Sequence, residues 1–270
     1  MSWWGKLLGG TFGYMLGGPL GALLGAALGH QFDRGLKYSQ FSDAFAASGN
    51  RERVQTAFFT SLFSVMGHIA KADGRVSEDE IAMARSVMQQ MALSEQQTRV
   101  AIELFNQGKQ AEFDLDKVLE QFRQECHRRR TLLQMFMEIL IHAAYADGMM
   151  HPKEQSLLLQ ISARLGFSAQ EFQQLDAIVR GQRTFHGAGG RYEAAAASKD
   201  VLQEAYAVLG VAEQASDAEI KKAYRRLMNQ HHPDKLVAKG LPEEMIKIAT
   251  EKTQEIKAAY DAIRKARGQK

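Results

Sequence analysis

Cysteine occurs once in this chain, at Cys126, and proline only four times. One thiol excludes an intramolecular disulfide and any zinc site built from cysteines, and it fits a reducing compartment. The scarcity of proline, beside abundant Ala, Leu, Glu, Gln and Met, favours helix. No run of alternating β-branched residues competes with that reading. Charge of one sign is lacking too. A formal net charge of +3 gives no reason to expect nucleic acid as a partner, and any basic patch has to be local. The 270 residues suffice for one large or two small hydrophobic cores. The expectation is an all-α chain.

Charged side chains are absent from Leu7 to Gly29, LLGGTFGYMLGGPLGALLGAALG. As a helix this stretch is about 34 Å long, enough for the hydrocarbon core of a bilayer. Trp3, Trp4 and Lys6 precede it, and Asp33, Arg34 and Lys37 follow, as suits the two headgroup zones. A single membrane-spanning helix is predicted. A cleaved signal peptide is a poorer match, because the charged leader is weak and the apolar stretch too long; a soluble glycine-rich hairpin is the other alternative. Gly9, Gly13, Gly17, Gly21 and Gly25 recur at every fourth position and form a ridge without side chains. Such a ridge lets a second helix approach closely, which offers a homodimer contact; simple space-filling is the alternative. Arg34, Lys37, Arg51 and Arg53 outnumber Lys6 plus the amino terminus, placing the C-terminal bulk in the cytoplasm.

After a small-residue stretch from Ser39 to Asn50, two segments resemble each other at a constant offset. MGHIAKADGRVSEDEIAMARSVMQQMALSEQQ begins at Met66, and LIHAAYADGMMHPKEQSLLLQISARLGFSAQE begins at Leu140. His68 matches His142, Asp73-Gly74 matches Asp147-Gly148, and Glu80 matches Glu154. Met83, Val87 and Met91 match Leu157, Ile161 and Leu165 at helical spacing, so a duplicated helix–turn–helix unit around one core is expected. An EF-hand is excluded. Its first and third ligand positions would hold Ile69 and Lys71, then Ala143 and Tyr145, none of them a calcium ligand. Local caps account for the polar residues: Ser77-x-x-Glu80, Ser94-x-x-Gln97 and Ser168-x-x-Glu171 are capping boxes, and Pro152 suits a first helical position. His68 and His142 read as helix-face or core histidines rather than metal ligands. The ADG turns resemble those of the TerB-like helical domain; that resemblance keeps a metal site as the alternative. Arg128-Arg129-Arg130 reads as a solvated helix face that an acidic lipid surface could attract. From Gly181 to Ser198 the apolar period stops, and a flexible linker is expected.

The last seventy or so residues hold QHHPDK, where two imidazoles and a carboxylate invite a catalytic or metal-binding reading. No glycine-rich phosphate loop, nucleophile elbow or further clear ligand joins His231, His232 and Asp234, which argues against an enzyme. Ser216-x-x-Glu219 opens a helix whose apolar stripe is Ile220, Ala223, Tyr224, Leu227 and Met228. Lys221, Lys222, Arg225 and Arg226 lie on another face. Asp217 and Glu219 can offset the two lysines, but the arginines have no acidic neighbour at helical spacing, which suggests a docking patch for an acidic partner; a solvated face is the alternative. Pro242, Glu243 and Glu244 start a second helix, with Ile256, Ala259, Tyr260 and Ile263 facing inward. Two antiparallel helices joined by a loop carrying His232-Pro233-Asp234 result.

EIKKAYRRLMNQHHPDK and EIKAAYDAI resemble helix II, the HPD loop and helix III of a J-domain. The whole order, from glycine-rich anchor through TerB-like middle and linker to terminal J-domain, is similar to the DjlA-type membrane-anchored J-proteins of Gram-negative bacteria. That resemblance implies a co-chaperone without catalysis or cofactor of its own, stimulating the ATPase of a DnaK-type chaperone at the inner membrane. It implies His232, Pro233 and Asp234 as the essential loop and Lys221, Lys222, Arg225 and Arg226 as the docking face. It also implies an N-terminus in the periplasm and a role in stress response or envelope and capsule regulation. Two departures stand out: a long loop after HPD (LVAKGLPEE), and Thr253 where many members carry phenylalanine. The expected divisions are a tail (1–6), spanning helix (7–29), juxtamembrane segment (30–50), TerB-like domain (51–180), linker (181–199) and J-domain (200–270). A membrane scaffold or signalling adaptor, acting through the glycine stripe and the middle domain, is the alternative function.

Overall fold

The structure, a computed structural model, describes residues 18–27, 50–72, 78–91, 93–146, 148–187, 199–242 and 245–268. All regular elements among these are helical. In chain order they are α1 (18–27), α2 (Asn50–Ala70), α3 (Glu78–Gln90), α4 (Glu95–Gly108), α5 (Leu115–Glu125), α6 (Arg130–Ala144), α7 (Pro152–Arg164) and α8 (Ala169–Gly187). The terminal region adds α9 (Lys199–Leu209), α10 (Asp217–His231), α11 (Pro233–Ala238) and α12 (Ile246–Ala266). They divide into two compact units, Met1–Gly166 with Lys239–Met245, and Phe167–Ala238 with Ile246–Lys270.

The duplication is visible as helices. α2, α3 and α4 recur as α6, α7 and α8, with α5 between the copies. Burial repeats with them: Val87 and Met91 are buried, as are Ile161 and Leu165, while Met83 and Leu157 are both half-buried. In the first unit α2 is the central helix, packed by α3, α4, α5, α6 and α7. Phe58 of α2, Phe122 of α5 and Phe136 of α6 meet there, with ring centroids 5.8, 5.8 and 4.5 Å apart, in edge and tilted contacts.

Several of the expected caps are present. Ser94 with Gln97 and Ser216 with Glu219 form complete capping boxes, and Ser168 exchanges hydrogen bonds with Glu171. Pro152 opens α7, but its cap is His151, whose Nδ1 accepts from the Lys153 N–H while Glu154 returns to the His151 N–H. Histidine is not among the usual capping residues, so this one was invisible to pattern. Gly148 has φ +104°, in keeping with the expected turn; Asp73, Gly74, Ser77 and Asp147 lie outside the described residues.

In the second unit α8 packs on α9, and α9 and α10 pack on α12. α8 runs on to Gly187, past the expected start of the linker; residues 188–198 lie outside the described residues. The J-domain-like hairpin has its own core of Leu209, Ile220, Leu227, Ile256, Ala259 and Ile263, with Tyr224 stacked on Tyr260 at 4.1 Å. Thr253 is half-buried, and its hydroxyl donates to the Thr250 carbonyl, so the place of the absent phenylalanine costs no unpaired polar group.

One clasp was not foreseen. Arg267, just past α12, donates to the Tyr206 hydroxyl at 2.8 Å, Asp217 Oδ1 at 2.7 Å and the Glu213 carbonyl at 2.8 Å. It joins α9, the turn after it and the start of α10 to the end of the chain. The bond to Asp217, then that to Tyr206, raises its pKa further. Arg267→Ala removes a charge-assisted hydrogen-bond set, for an expected loss of about 2 kcal/mol. Chemical denaturation followed by far-UV circular dichroism on residues 199–270 measures it, and an unchanged midpoint contradicts the clasp.

Candidate partner-binding surface

α10 is amphipathic, and its two faces do different things. Ile220, Ala223, Leu227 and His231 are buried. Lys221, Lys222, Arg225 and Arg226 are exposed, and among the described residues none of the four forms an ion pair. The expected offset at the first turn is corrected. Asp217 is taken by Arg267 rather than by Lys221. Glu219 closes the capping box, and the Ser216 hydroxyl, then its backbone N–H, holds the carboxyl below the usual range, with Lys222 adding a smaller attraction. The basic face is therefore less compensated than the sequence implied.

The joint after α10 also departs from expectation. His232-Pro233-Asp234 is not a loop between two helices. His232 ends α10 with φ −60° and ψ 122°, and its carbonyl accepts the Leu236 N–H at 3.1 Å, the first hydrogen bond of α11. Pro233 is the first residue of α11, where its missing N–H and fixed φ cost nothing. Leu236, fully buried, anchors the short helix, and the Lys235 ammonium donates to Asn229 Oδ1 of α10. A single extended residue thus turns the chain, and helix fixes it on both sides. The His232 and Asp234 side chains are 46% and 92% exposed, with Nδ1 and Oδ2 4.0 Å apart, too far for a hydrogen bond. His231, by contrast, is 2% exposed. The two imidazoles are not available to one reacting centre, which removes the His231–His232–Asp234 constellation.

The other candidate residues are dispersed. His68 lies in the last turn of α2, with Nδ1 3.3 Å from the Gly108 carbonyl and its ring 5.2 Å from that of Phe113. Burial lowers its pKa, against a smaller opposing effect of the Gly108 carbonyl. His142 occupies the last turn of α6. Among the described residues no three His, Cys, Asp or Glu side chains come together as a metal would need. Cys126 is buried, and desolvation pushes its thiol up to about 12, so it is no nucleophile at neutral pH.

Of the glycine stripe, Gly21 and Gly25 fall in α1, both buried, on a helix where Leu20 and Leu24 are buried too; Gly9, Gly13 and Gly17 lie outside the described residues. The Leu20 N–H donates to Gln121 Oε1 at 2.7 Å. Among the described residues no helix is long and apolar enough to cross a membrane, and most of the expected span lies outside them.

Three families match the chain in succession. Residues 1–39 match the co-chaperone DjlA transmembrane domain, residues 59–177 match tellurite resistance protein TerB, and residues 204–269 match the DnaJ domain. The co-chaperone protein DjlA of Coxiella burnetii is 46% identical, over 99% of this chain and 99% of its own length. That of Photobacterium profundum is 46% identical over 98% and 99%, and that of Vibrio cholerae 45% identical over 98% of each. No solved structure matches. With exposed His232 and Asp234 flanking Pro233 beside a weakly compensated basic helix face, and relatives alike along the full length, the chain belongs to the DjlA family of membrane-anchored J-domain co-chaperones.

Proposed function

We propose that this protein stimulates the ATPase of a DnaK-type chaperone and recruits it to the inner membrane. The observation that carries the reading is the pairing of an exposed His232–Asp234 joint, held on both sides by helix, with the exposed cations of α10. Rigid, outward-facing groups lose little entropy on binding, which suits a contact more than a catalyst. Hydrolysis is then the partner's chemistry. Lys221, Lys222, Arg225 and Arg226 steer an acidic surface of the ATPase, and His232, Pro233 and Asp234 make the decisive contact. The anchor crosses the membrane once, with the N-terminus in the periplasm and the remainder in the cytoplasm, and Gly9, Gly13, Gly17, Gly21 and Gly25 allow pairing with a second copy. We take 51–180 as the central domain and 200–270 as the J-domain, and place the protein in stress response or envelope and capsule regulation.

The docking face is tested with Arg225→Glu plus Arg226→Glu, titrated against a DnaK-type ATPase. Half-maximal stimulation should require about tenfold more of the variant, and wild-type stimulation should weaken steeply with salt. An unchanged titration at low salt rules this face out.

A further inference from the structure

The arginine run of the sequence is not a simple solvated face. His127, Arg128 and Arg129, in the turn between α5 and α6, and Arg130, the first residue of α6, line a cleft of about 800 Å³. Arg123 of α5 and Arg164 of α7 complete it, so five guanidiniums from three parts of the central domain converge on one concavity. Among the described residues that line the cleft, two carboxylates, Asp116 and Glu120, face them.

Part of this arrangement is structural. Arg164 pairs with Asp116 at 2.8 Å. Arg123 donates to the Arg164 carbonyl and Arg130 to the Gly166 carbonyl, each at 3.2 Å, satisfying the end of α7. Arg129 donates to the Glu125 carbonyl at 3.1 Å. The carbonyl bonds hold the guanidiniums of Arg123, Arg129 and Arg130 in place without cancelling charge, whereas Asp116 offsets that of Arg164. Arg128 has no such duty. It is exposed, forms no ion pair among the described residues, and has φ +61°, the sole non-glycine residue at positive φ among them. Glycine or asparagine would take that conformation at less cost, and a strained residue at a site is a pointer to use. Packing does not explain why an arginine stands there.

We propose that this cleft binds a phosphate-bearing anion, with Arg123 and Arg128 as its principal ligands. Guanidinium presents parallel N–H donors that match phosphate oxygens, and those already tethered to backbone carbonyls lose little freedom on binding. The cleft volume exceeds that of a lone phosphate and accommodates a diphosphate or a lipid headgroup. The same chemistry is available from a soluble phosphate or from an acidic lipid beside the anchor.

The test uses the full chain in two settings. In non-ionic detergent at low ionic strength, pyrophosphate binding is followed by calorimetry. In nanodiscs of phosphatidylcholine with or without phosphatidic acid, amide hydrogen exchange is followed at residues 123–130 and 163–166. Arg128→Asn keeps a residue that tolerates positive φ, and is made alone and with Arg123→Gln; Arg99→Gln, on the exposed face of α4, is the control. Each cleft arginine removed should weaken binding about tenfold, and the control should not. Pyrophosphate binding lost in the variants assigns a soluble ligand, and exchange protection by phosphatidic acid lost in them assigns a lipid headgroup. Absence of both responses in the wild type, or equal responses in the variants, overturns the proposal.

Discussion

His232→Gln should leave the protein folded and bring the proposed stimulation of a DnaK-type ATPase down to the unstimulated rate. The fold survives because the imidazole is 46% exposed and belongs to no core cluster, while its backbone makes the turn. Glutamine can adopt the same extended φ and ψ and leave the carbonyl bond to Leu236 in place. What goes is a contact at the centre of a proposed interface, where one side chain carries a large share of the binding free energy. A deficit of about thirtyfold or more in half-maximal concentration, or loss of stimulation altogether, is the scale for such a residue. Single-turnover ATP hydrolysis with the full chain measures it, alongside circular dichroism to show that helix content is kept. Full stimulation by the variant would remove His232 from the function, and with it the reading of the joint. The neighbouring His231→Gln serves as contrast: it alters a 2% exposed side chain, so its effect should fall on stability.

Gly108→Ala should destabilise the central domain by about 3 kcal/mol or more, although alanine is ordinarily the better helix former. The reason lies where α2 and α4 cross. A methyl at Gly108 would fall on the backbone carbonyl of Ser64, and one at Gly67 on that of Phe105. Neither obstacle is the end of a flexible side chain, so the helices would have to move apart. Separation would disturb Leu104, Phe105 and Phe63, all buried near this level, and the His68 contact with the Gly108 carbonyl. For a domain of this size the loss corresponds to a fall in melting temperature of about 10 °C or more. Gly67→Ala should act in the same direction, and the double variant should cost less than the sum if one separation relieves both clashes. Scanning calorimetry gives the values; a melting temperature equal to the wild type's would show that the helices do not approach this closely.

The glycines at that crossing carry no mark in the sequence. Attention in the sequence goes to the N-terminal stripe, where Gly9 to Gly25 recur at every fourth position. Gly67 and Gly108 stand alone in otherwise ordinary helical pattern, and nothing local marks them as a pair. The repeat does not help, since the counterpart of Gly67 in the second copy is Ile141. Close approach is a property of two helices distant in sequence. Arg267 is the same kind of case. As the second basic residue from the C-terminus it reads as a solvated tail, and becomes a clasp only once Tyr206, Glu213 and Asp217 are brought beside it. The arginine cleft is a third: three consecutive arginines look like a face, and only the end of α7 turns them into a concavity.

Helical class, duplication and hairpin are legible in the residue pattern alone, because each rests on short-range physics: apolar period, capping boxes and the fixed φ of proline. So is the basic face of α10, since side chains three and four apart must share a side. What those elements meet is settled by tertiary packing. It split His231 from His232, burying one and exposing the other, because a helix that ends at its core leaves its last residue inside and the next one out. It turned an expected loop into a one-residue joint by seating Leu236 in the core, which lets Pro233 start a helix. It took Asp217 from Lys221 and gave it to Arg267, leaving the basic face free of the carboxylate the sequence had offered it. Local pattern fixes which groups are present; burial and long-range pairing fix which of them remain available to a partner.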